Sequence, residues 1–303
     1  MLKKKSFFTV LILQVMLIFT GCSTIQTAWK TDARNIEKDI AASKKNGVIV
    51  FTASDSDEVS KNLIDDICTE HFFSKAGKYF VLYNVNIVKD EALMPAKELE
   101  KNYILFSEYN ILEVPHLCIL NKDGDAFYSG FIPAEIKTSD DFAAFLYKQL
   151  PDGETVAKLR HGIEKKEGFE KIKAVDEFFN SVYFVDSEKY KPLLDEGIKS
   201  DPENKSGLTG KFVLAKKQLV IDKLLLQKKY DEAIGEFNDT LNMKILKPEE
   251  EQAVWCNIAY IAALSQKYSK TKIIGFLENA LKAAASSSRA EDIKADIDYL
   301  KKH

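Results

Sequence analysis

The sequence predicts an α/β domain, with a central mixed sheet flanked by helices, followed by an all-α region. Up to about residue 153, apolar runs of strand length alternate with amphipathic segments, and an Asp-Gly turn joins two of the runs as a hairpin. Beyond that residue, apolar side chains recur only at spacings of three and four, which is typical of helices. This change of pattern predicts two units in one chain.

The composition is that of an ordinary globular protein. The chain has 303 residues, 46% of them hydrophobic, with 13 glycines and 7 prolines, so one or two domains are expected. Its formal charge of −3 argues against nucleic acid as a partner, because phosphate binding needs a concentrated basic surface.

The start of the chain is predicted to be a targeting segment rather than part of the fold. Lysines at 3–5 precede an apolar run at 7–19, which is too short for a comfortable membrane span of about 20 residues. Thr20-Gly21-Cys22 resembles the end of a bacterial lipobox, which implies cleavage before Cys22 and a lipid on that cysteine. An uncleaved anchor and a plain signal peptide are the alternatives. Each of the three places the folded part outside the cytoplasm, in the bacterial cell envelope on its periplasmic or surface side.

The most informative motif spans residues 48–63, where an apolar run of strand length is followed by a polar loop and a helix start. It resembles the active-site segment of thioredoxin-like proteins, whose loop reads Trp-Cys-x-x-Cys. Alignment on the helix start puts Ser56 where the family has Trp, and Asp57 and Ser60 where it has its two cysteines. We call five positions the degenerate loop: Ser56, Asp57, Glu58, Val59 and Ser60.

The substitutions change what this loop can do. In a redox loop the first thiol lies at a helix N-terminus, which lowers its pKa, whereas neither Asp nor Ser can form a mixed disulfide. Asp55 is predicted to be the helix N-cap, with Glu58 three positions on as its capping-box partner. A cation or ligand site made by Asp55, Asp57 and Glu58 is the alternative. No metal and no cofactor is expected, since no His or Cys follows at ligand spacing.

Val114-Pro115 resembles the cis-proline that faces the active-site loop in the same family. In active relatives the backbone beside this proline pairs with an extended substrate chain, so the resemblance implies a peptide-binding edge. His116 follows, where the family commonly has Thr. A solvated or locally hydrogen-bonded His116 is expected, and a pH-sensitive contact with Asp57 is the alternative.

Periodicity and helix-breaking residues predict the other elements of the α/β domain. Expected helices are 34–45, 60–74, 96–109 and one capped by Ser139-Asp140-Asp141, and expected strands are 79–85 and a hairpin over 117–131. Asn46-Gly47 is expected to stop the first helix, and Pro151-Asp152-Gly153 is expected to close the domain.

Three cysteines remain if Cys22 carries a lipid: Cys68, Cys118 and Cys256. Buried free thiols that behave as small hydrophobic residues are expected for all three. A disulfide between Cys68 and Cys118 is the alternative.

The region after the α/β domain is predicted to be helical and resembles tetratricopeptide (TPR) repeats. The resemblance rests on the segment from Gln227 to Leu241 and on its echo from Gln266 to Leu281. We therefore expect degenerate helical pairs stacked as a small array, with a concave surface free for another protein. Four aromatic residues are expected in the helical core, with anchoring of a partner as the alternative: Tyr183, Phe184, Trp255 and Tyr260.

Four segments are predicted: a signal peptide at 1–21, a lipid-anchored tether at 22–28, a thioredoxin-like domain at 29–151 and a TPR-like domain at 152–303. The predicted function is that of a membrane-anchored lipoprotein with a thioredoxin fold but no redox motif, which binds an unidentified protein or peptide as a scaffold or chaperone-like module. The alternative is a thiol-disulfide enzyme that uses Cys68 or Cys118. The sequence contains no hydrolase motif of the GxSxG or HExxH kind.

Overall fold

The computed structural model describes residues 28–185 and 188–302. The predicted signal peptide, Cys22 and the tether up to residue 27 lie outside the described residues.

The first part of the chain is a four-stranded mixed sheet flanked by helices, as predicted. Its strands are β1 (Asn46–Thr52), β2 (Phe80–Asn86), β3 (His116–Leu120) and β4 (Ala126–Phe131). Its helices are α1 (Ile36–Ser43), α2 (Glu58–Asn62), α3 (Glu70–Ala76), α4 (Ala96–Glu108) and α5 (Ser139–Ile163). The strand order is β2-β1-β3-β4, with β1 and β2 parallel and β3 antiparallel to both of its neighbours. This order and these directions are those of a thioredoxin-like sheet.

Strand β1 is an inner strand of the sheet, and both of its faces are covered. All of its residues are buried, and their side chains alternate between two cores. Val48 and Val50 belong to the core that includes α3 and α5, whereas Ile49 and Phe51 belong to the core that includes α1 and α4. The loop after β1 therefore leaves from a strand that packing fixes on both faces.

Two predicted helix boundaries in this part are wrong. Asn46-Gly47 belongs to β1, and α1 ends instead at Ser43, with Lys44 as its C-cap in a left-handed conformation with φ of 56°. The predicted helix 60–74 is interrupted, because α2 continues as a π-helical turn at Leu63–Ile67 and α3 starts only at Glu70. The break is stabilised from outside, since the Ser139 hydroxyl donates to the Ile67 carbonyl at 2.5 Å.

Helix α5 does not end where the sequence predicts. Its N-cap is Thr138, one residue earlier than expected, and Pro151 lies inside the helix. Gly153 fits against Phe127 of β4, where an added Cβ would lie 2.8 Å from the Phe127 ring, and Val156 begins the next core. Tertiary packing on both sides of Pro151 therefore offsets the helix-breaking effect of proline. The predicted boundary between residues 151 and 152 falls inside this helix.

The rest of the described chain is helical, as predicted. The helices are α6 (Gly168–Phe179), α7 (Lys191–Ser200), α8 (Thr209–Leu226), α9 (Tyr230–Asn242), α10 (Pro248–Ser265), α11 (Lys270–Ala283) and α12 (Ala290–Lys302). Each helix from α5 onward packs against the next one in the chain. In residues 28–185 and 188–302, no helix is long and apolar enough to cross a membrane.

A buried ionic cluster joins the sheet to the helical region. Asp125, in the β3–β4 turn, has no exposed side-chain surface. Its Oδ1 accepts hydrogen bonds from Arg160 of α5 at 2.5 Å and from the Tyr190 hydroxyl at 3.0 Å, and Lys189 Nζ lies 3.4 Å away. Phe127 packs into the cores on both sides of this junction. The two parts of the chain therefore share a continuous interior.

Candidate functional site

The degenerate loop connects β1 to α2 and is held by its own side chains. Asp57 is the N-cap of α2, and its Oδ2 accepts the backbone N–H of Ser60 at 2.7 Å. Ser60 is fully buried, and its Oγ accepts the backbone N–H of Ala53 at 3.3 Å. Asp57 and Ser60, which the sequence resemblance aligns with the family's cysteines, thus both stabilise the loop and the helix start.

The prediction that Asp55 caps this helix is wrong. Asp55 instead accepts the backbone N–H groups of Lys89, at 2.8 and 3.0 Å, and of Asp90, at 2.8 Å. Hydrogen bonds from the backbone of Asp90 and Lys89 hold the pKa of the Asp55 carboxyl below its usual value. Asp55 therefore ties the loop to the segment that follows β2.

Sequence reasoning missed Asn86, which fixes the start of the loop. Its side-chain oxygen accepts the Thr52 hydroxyl at 3.0 Å and the Ser54 N–H at 2.9 Å, and its side-chain nitrogen donates to Ser54 Oγ at 2.8 Å. Asn84, two residues earlier, donates to Thr52 Oγ1 at 3.0 Å. The available signal was a pair of amides at alternate positions near the end of an otherwise apolar strand, where two polar groups on one face imply a polar partner.

The Val114–Pro115 peptide bond is cis, as the family resemblance implies. Phe51 pairs with His116 across β1 and β3, so Pro115 lies beside Thr52, at the end of the sheet from which the degenerate loop leaves. The structure thus brings the two predicted site segments to one end of the sheet.

His116 has the locally hydrogen-bonded environment that was expected. Its Nε2 lies 2.9 Å from Ser129 Oγ rather than bonding to Asp57, and its ring makes an edge contact with Phe131 at 5.8 Å between centroids. Burial lowers the pKa of His116 from its usual value, which favours the neutral ring.

A polar, mainly acidic cleft lies at this end of the sheet, and exposed apolar side chains occur at the same end. The cleft is lined by Ser54, Asp55, Ser56, Asp57, Glu58, Lys61 and Asn62. Three exposed apolar side chains emerge at the same end: Val59 in α2, Leu112 ahead of Pro115, and Phe131 opposite His116, with exposed fractions of 61%, 86% and 56%. Such a surface can hold a peptide by apolar contacts and backbone hydrogen bonds, and it offers no nucleophilic sulfur.

The cysteines of the described chain are elsewhere and are free. Cys68 and Cys118 are buried, as predicted, whereas Cys256 is only half-buried, and the alternative Cys68–Cys118 disulfide is not formed. Burial raises the pKa of the Cys68 thiol far above its usual value and that of Cys118 to about 12. Neither buried thiol is therefore available as a thiolate near neutral pH.

The four aromatic residues expected in the helical core, or as anchors of a partner, differ in their surroundings. Trp255 stacks on Phe276 at 6.2 Å and packs, partly buried, against the helical core, as expected. Phe184 packs edge-on against Tyr109 at 5.0 Å, so it joins the core of the α/β domain rather than the helical core. Tyr183 and Tyr260 are 44% and 64% exposed. Among the described residues, no group of three or more His, Cys, Asp or Glu side chains is placed to hold a metal ion.

Comparison with known proteins adds three findings. Residues 208–303, which contain α8 to α12, match a family described as "Uncharacterised protein C-terminal domain". The chain is 24% identical over 281 residues to an uncharacterized protein of Treponema pallidum (strain Nichols), covering 93% of this chain and 92% of that one. The solved structure of a DsbH oxidoreductase matches 49% of this chain and 95% of its own, with a TM-score of 0.37 and 15% identity.

Proposed function

We propose that this protein is a thioredoxin-fold binding module without thiol chemistry, tethered outside the cytoplasm by a lipid on Cys22. The observation that carries the proposal is the pairing of Asp57 with Ser60 at the two positions of the family's cysteines. Both side chains accept backbone N–H groups of the loop, and neither can exchange a disulfide. The fold is kept while the reactive group of the family is replaced.

The partner is an unidentified protein or peptide that contacts the loop end of the sheet. Val59, Leu112 and Phe131 supply apolar surface there, and the acidic cleft between Ser54 and Asn62 favours a segment that carries a basic residue. The backbone beside Pro115 is the edge with which an extended chain pairs in active thioredoxin-like proteins. These features support capture of an extended segment.

The helical region is the second part of this proposal. Sequential packing of α8 to α12, each against the next, supports a small TPR-like array that holds or orients the partner. Exposed Tyr260 and Leu264 lie one turn apart on α10 and supply apolar surface for such a role.

The enzyme alternative gains no support from the described residues. A reaction at Cys68 or Cys118 would need a thiol that is both accessible and ionised. Burial blocks access to each thiol and raises its pKa.

Site-specific photo-crosslinking in native membranes tests the proposal. A benzophenone side chain in place of Leu112 is expected to give a discrete protein adduct, and one in place of Leu226, which is 85% exposed at the end of α8, reports on the helical region. An adduct from Leu226 alone would indicate that the partner binds the helical region and not the loop end of the sheet. Failure to obtain any adduct from either position, or from Val59, would contradict a binding function.

A further inference from the structure

The end of the sheet opposite the degenerate loop carries a basic and aromatic surface. Strands β1 and β2 are parallel, with Asn46 beside Phe80, so both begin at this end, and the loop leaves β1 at the other. We define the basic end by six residues: Lys44, Lys45, Lys78, Tyr79, Tyr147 and Lys148.

Direct contacts hold these residues together. Lys45 Nζ donates to the carbonyl of Gly77 at 2.5 Å, which places the Lys44-Lys45 pair beside Lys78. The Tyr79 ring lies 5.3 Å from the Tyr147 ring in an edge contact, and Lys148 follows on α5. Segments far apart in the sequence therefore form one surface.

The basic end carries positive charge that acidic side chains do not neutralise. Lys44, Lys78 and Lys148 are exposed, and none of the three makes an ion pair within the described chain. The three segments that form the surface, 40–54, 71–89 and 142–151, contain no Asp or Glu, although the whole chain has a formal charge of −3. The positive charge is therefore local to this end.

Exposed aromatic surface accompanies the lysines. Tyr79 is 52% exposed and is supported from behind by Tyr147. A tyrosine beside lysines suits the boundary between water and lipid headgroups, because the ring is apolar and the hydroxyl is polar.

The path of the chain brings the proposed anchor to the same end. Lys30 pairs in parallel with Tyr83, donating its N–H to Leu82 and accepting from Asn84, at 3.1 and 2.9 Å. Residues just before Lys30 therefore lie towards the beginning of β2, where the basic end is. Cys22 precedes Ala28 by six residues, which reach at most roughly 20 Å when extended.

From these observations we propose that the basic end is a contact surface for anionic lipid headgroups, which holds the loop end of the sheet facing away from the membrane. The proposal rests on the lipid anchor of the proposed function for its orientation, but the surface itself is a property of the folded chain. Each lysine near an anionic bilayer contributes roughly fivefold to binding at low ionic strength.

Vesicle flotation tests the proposal without the anchor. The protein is the chain from residue 22 onward carrying Cys22→Ser, which keeps every contact described above and cannot be acylated. It is expected to bind vesicles of phosphatidylglycerol and phosphatidylcholine, to bind pure phosphatidylcholine weakly, and to be released by salt. The double variant Lys44→Gln/Lys78→Gln is expected to lower the partition coefficient roughly tenfold or more.

A matched control separates the basic end from a general charge effect. Lys228 and Lys244 are also exposed and lie in the helical region, so Lys228→Gln/Lys244→Gln removes the same charge. This control is expected to change binding by less than about twofold. Equal losses in the two variants, or equal binding to neutral vesicles, would overturn the proposal. Lipid attachment is measured separately, from the mass of the Cys22 peptide of the full chain, so a failed anchor and a failed surface are distinguishable.

Discussion

Asp57 and Ser60 are hydrogen-bonded across the first turn of α2, with Asp57 Oδ2 accepting the Ser60 N–H at 2.7 Å. The resemblance to thioredoxin-like proteins aligns these two positions with the two cysteines of the redox motif. In this chain the Asp57 carboxylate caps α2 and stabilises the helix start without a disulfide.

The contribution of the Asp57 cap to the free energy of unfolding is measurable. Asp57→Ala is expected to lower the free energy of unfolding by about 1 kcal/mol, because the Ser60 N–H loses its acceptor. Asp57→Asn keeps an acceptor oxygen and is expected to change stability by only a few tenths of a kcal/mol. Urea unfolding of the two variants provides the comparison, and an equal loss in both would show that capping is not what Asp57 contributes.

Asp55 is expected to make stability depend on pH. Its folded pKa is lowered by hydrogen bonds from the backbone of Asp90 and Lys89, so the unfolded state binds its proton more readily. The contribution is fully present above the unfolded value of about 4 and is lost as the pH falls through the lower folded pKa. Chemical unfolding at about pH 6 and about pH 3 should show a smaller acid-induced loss in Asp55→Asn than in the wild type. An identical loss would contradict the assignment.

Two glycines in α5 should respond oppositely to alanine. Gly153→Ala places a Cβ about 2.8 Å from the Phe127 ring and is expected to destabilise by roughly 1–3 kcal/mol through overpacking. A Cβ added at Gly162 would meet no atom within 4 Å outside its own stretch of helix, so Gly162→Ala is expected to stabilise by a few tenths of a kcal/mol or more. Thermal unfolding of the pair checks that α5 is a single helix packed on β4. Destabilisation by Gly162→Ala alone would contradict it.

The buried Asp125 is expected to contribute to the free energy of unfolding through its contacts with both parts of the chain. Asp125→Ala leaves Arg160, Lys189 and Tyr190 without their common acceptor and is expected to cost on the order of 3 kcal/mol. Glu203→Ala, which removes the exposed Lys205–Glu203 pair, is the control and is expected to cost less than about 1 kcal/mol. The two variants are compared by urea unfolding. Equal small losses would show that the cluster contributes little to the junction.

Much of the fold could be predicted from local sequence patterns. The apolar run of β1 and the Asp-Gly turn between β3 and β4 are specified within a few residues, and both are found. Pro115 in its cis form follows from its resemblance to a family feature rather than from its neighbours.

The predictions that were wrong concern residues whose environment is set by contacts with residues far away in the sequence. Asp55 and Asp57 are both suitable caps, and Asp57 serves because Asp55 is engaged by Lys89 and Asp90. The sequence predicts a helix end at Pro151, but α5 continues through this proline and packs Gly153 against Phe127. Long-range contacts of this kind leave no periodic trace in the sequence.

We propose that the loop end of the sheet has a thioredoxin-like shape without thiol chemistry. Insulin reduction tests this proposal most directly, with wild type compared with Asp57→Cys/Ser60→Cys, which introduces thiols at the start of α2, at the same end of the sheet as Pro115. The wild type is expected to give no turnover above the uncatalysed rate, and the double variant is expected to give turnover. Asp55→Cys/Glu58→Cys, with the same spacing in the wrong register, is expected to remain inactive. Turnover by the wild type that disappears in Cys68→Ser or Cys118→Ser would contradict the account.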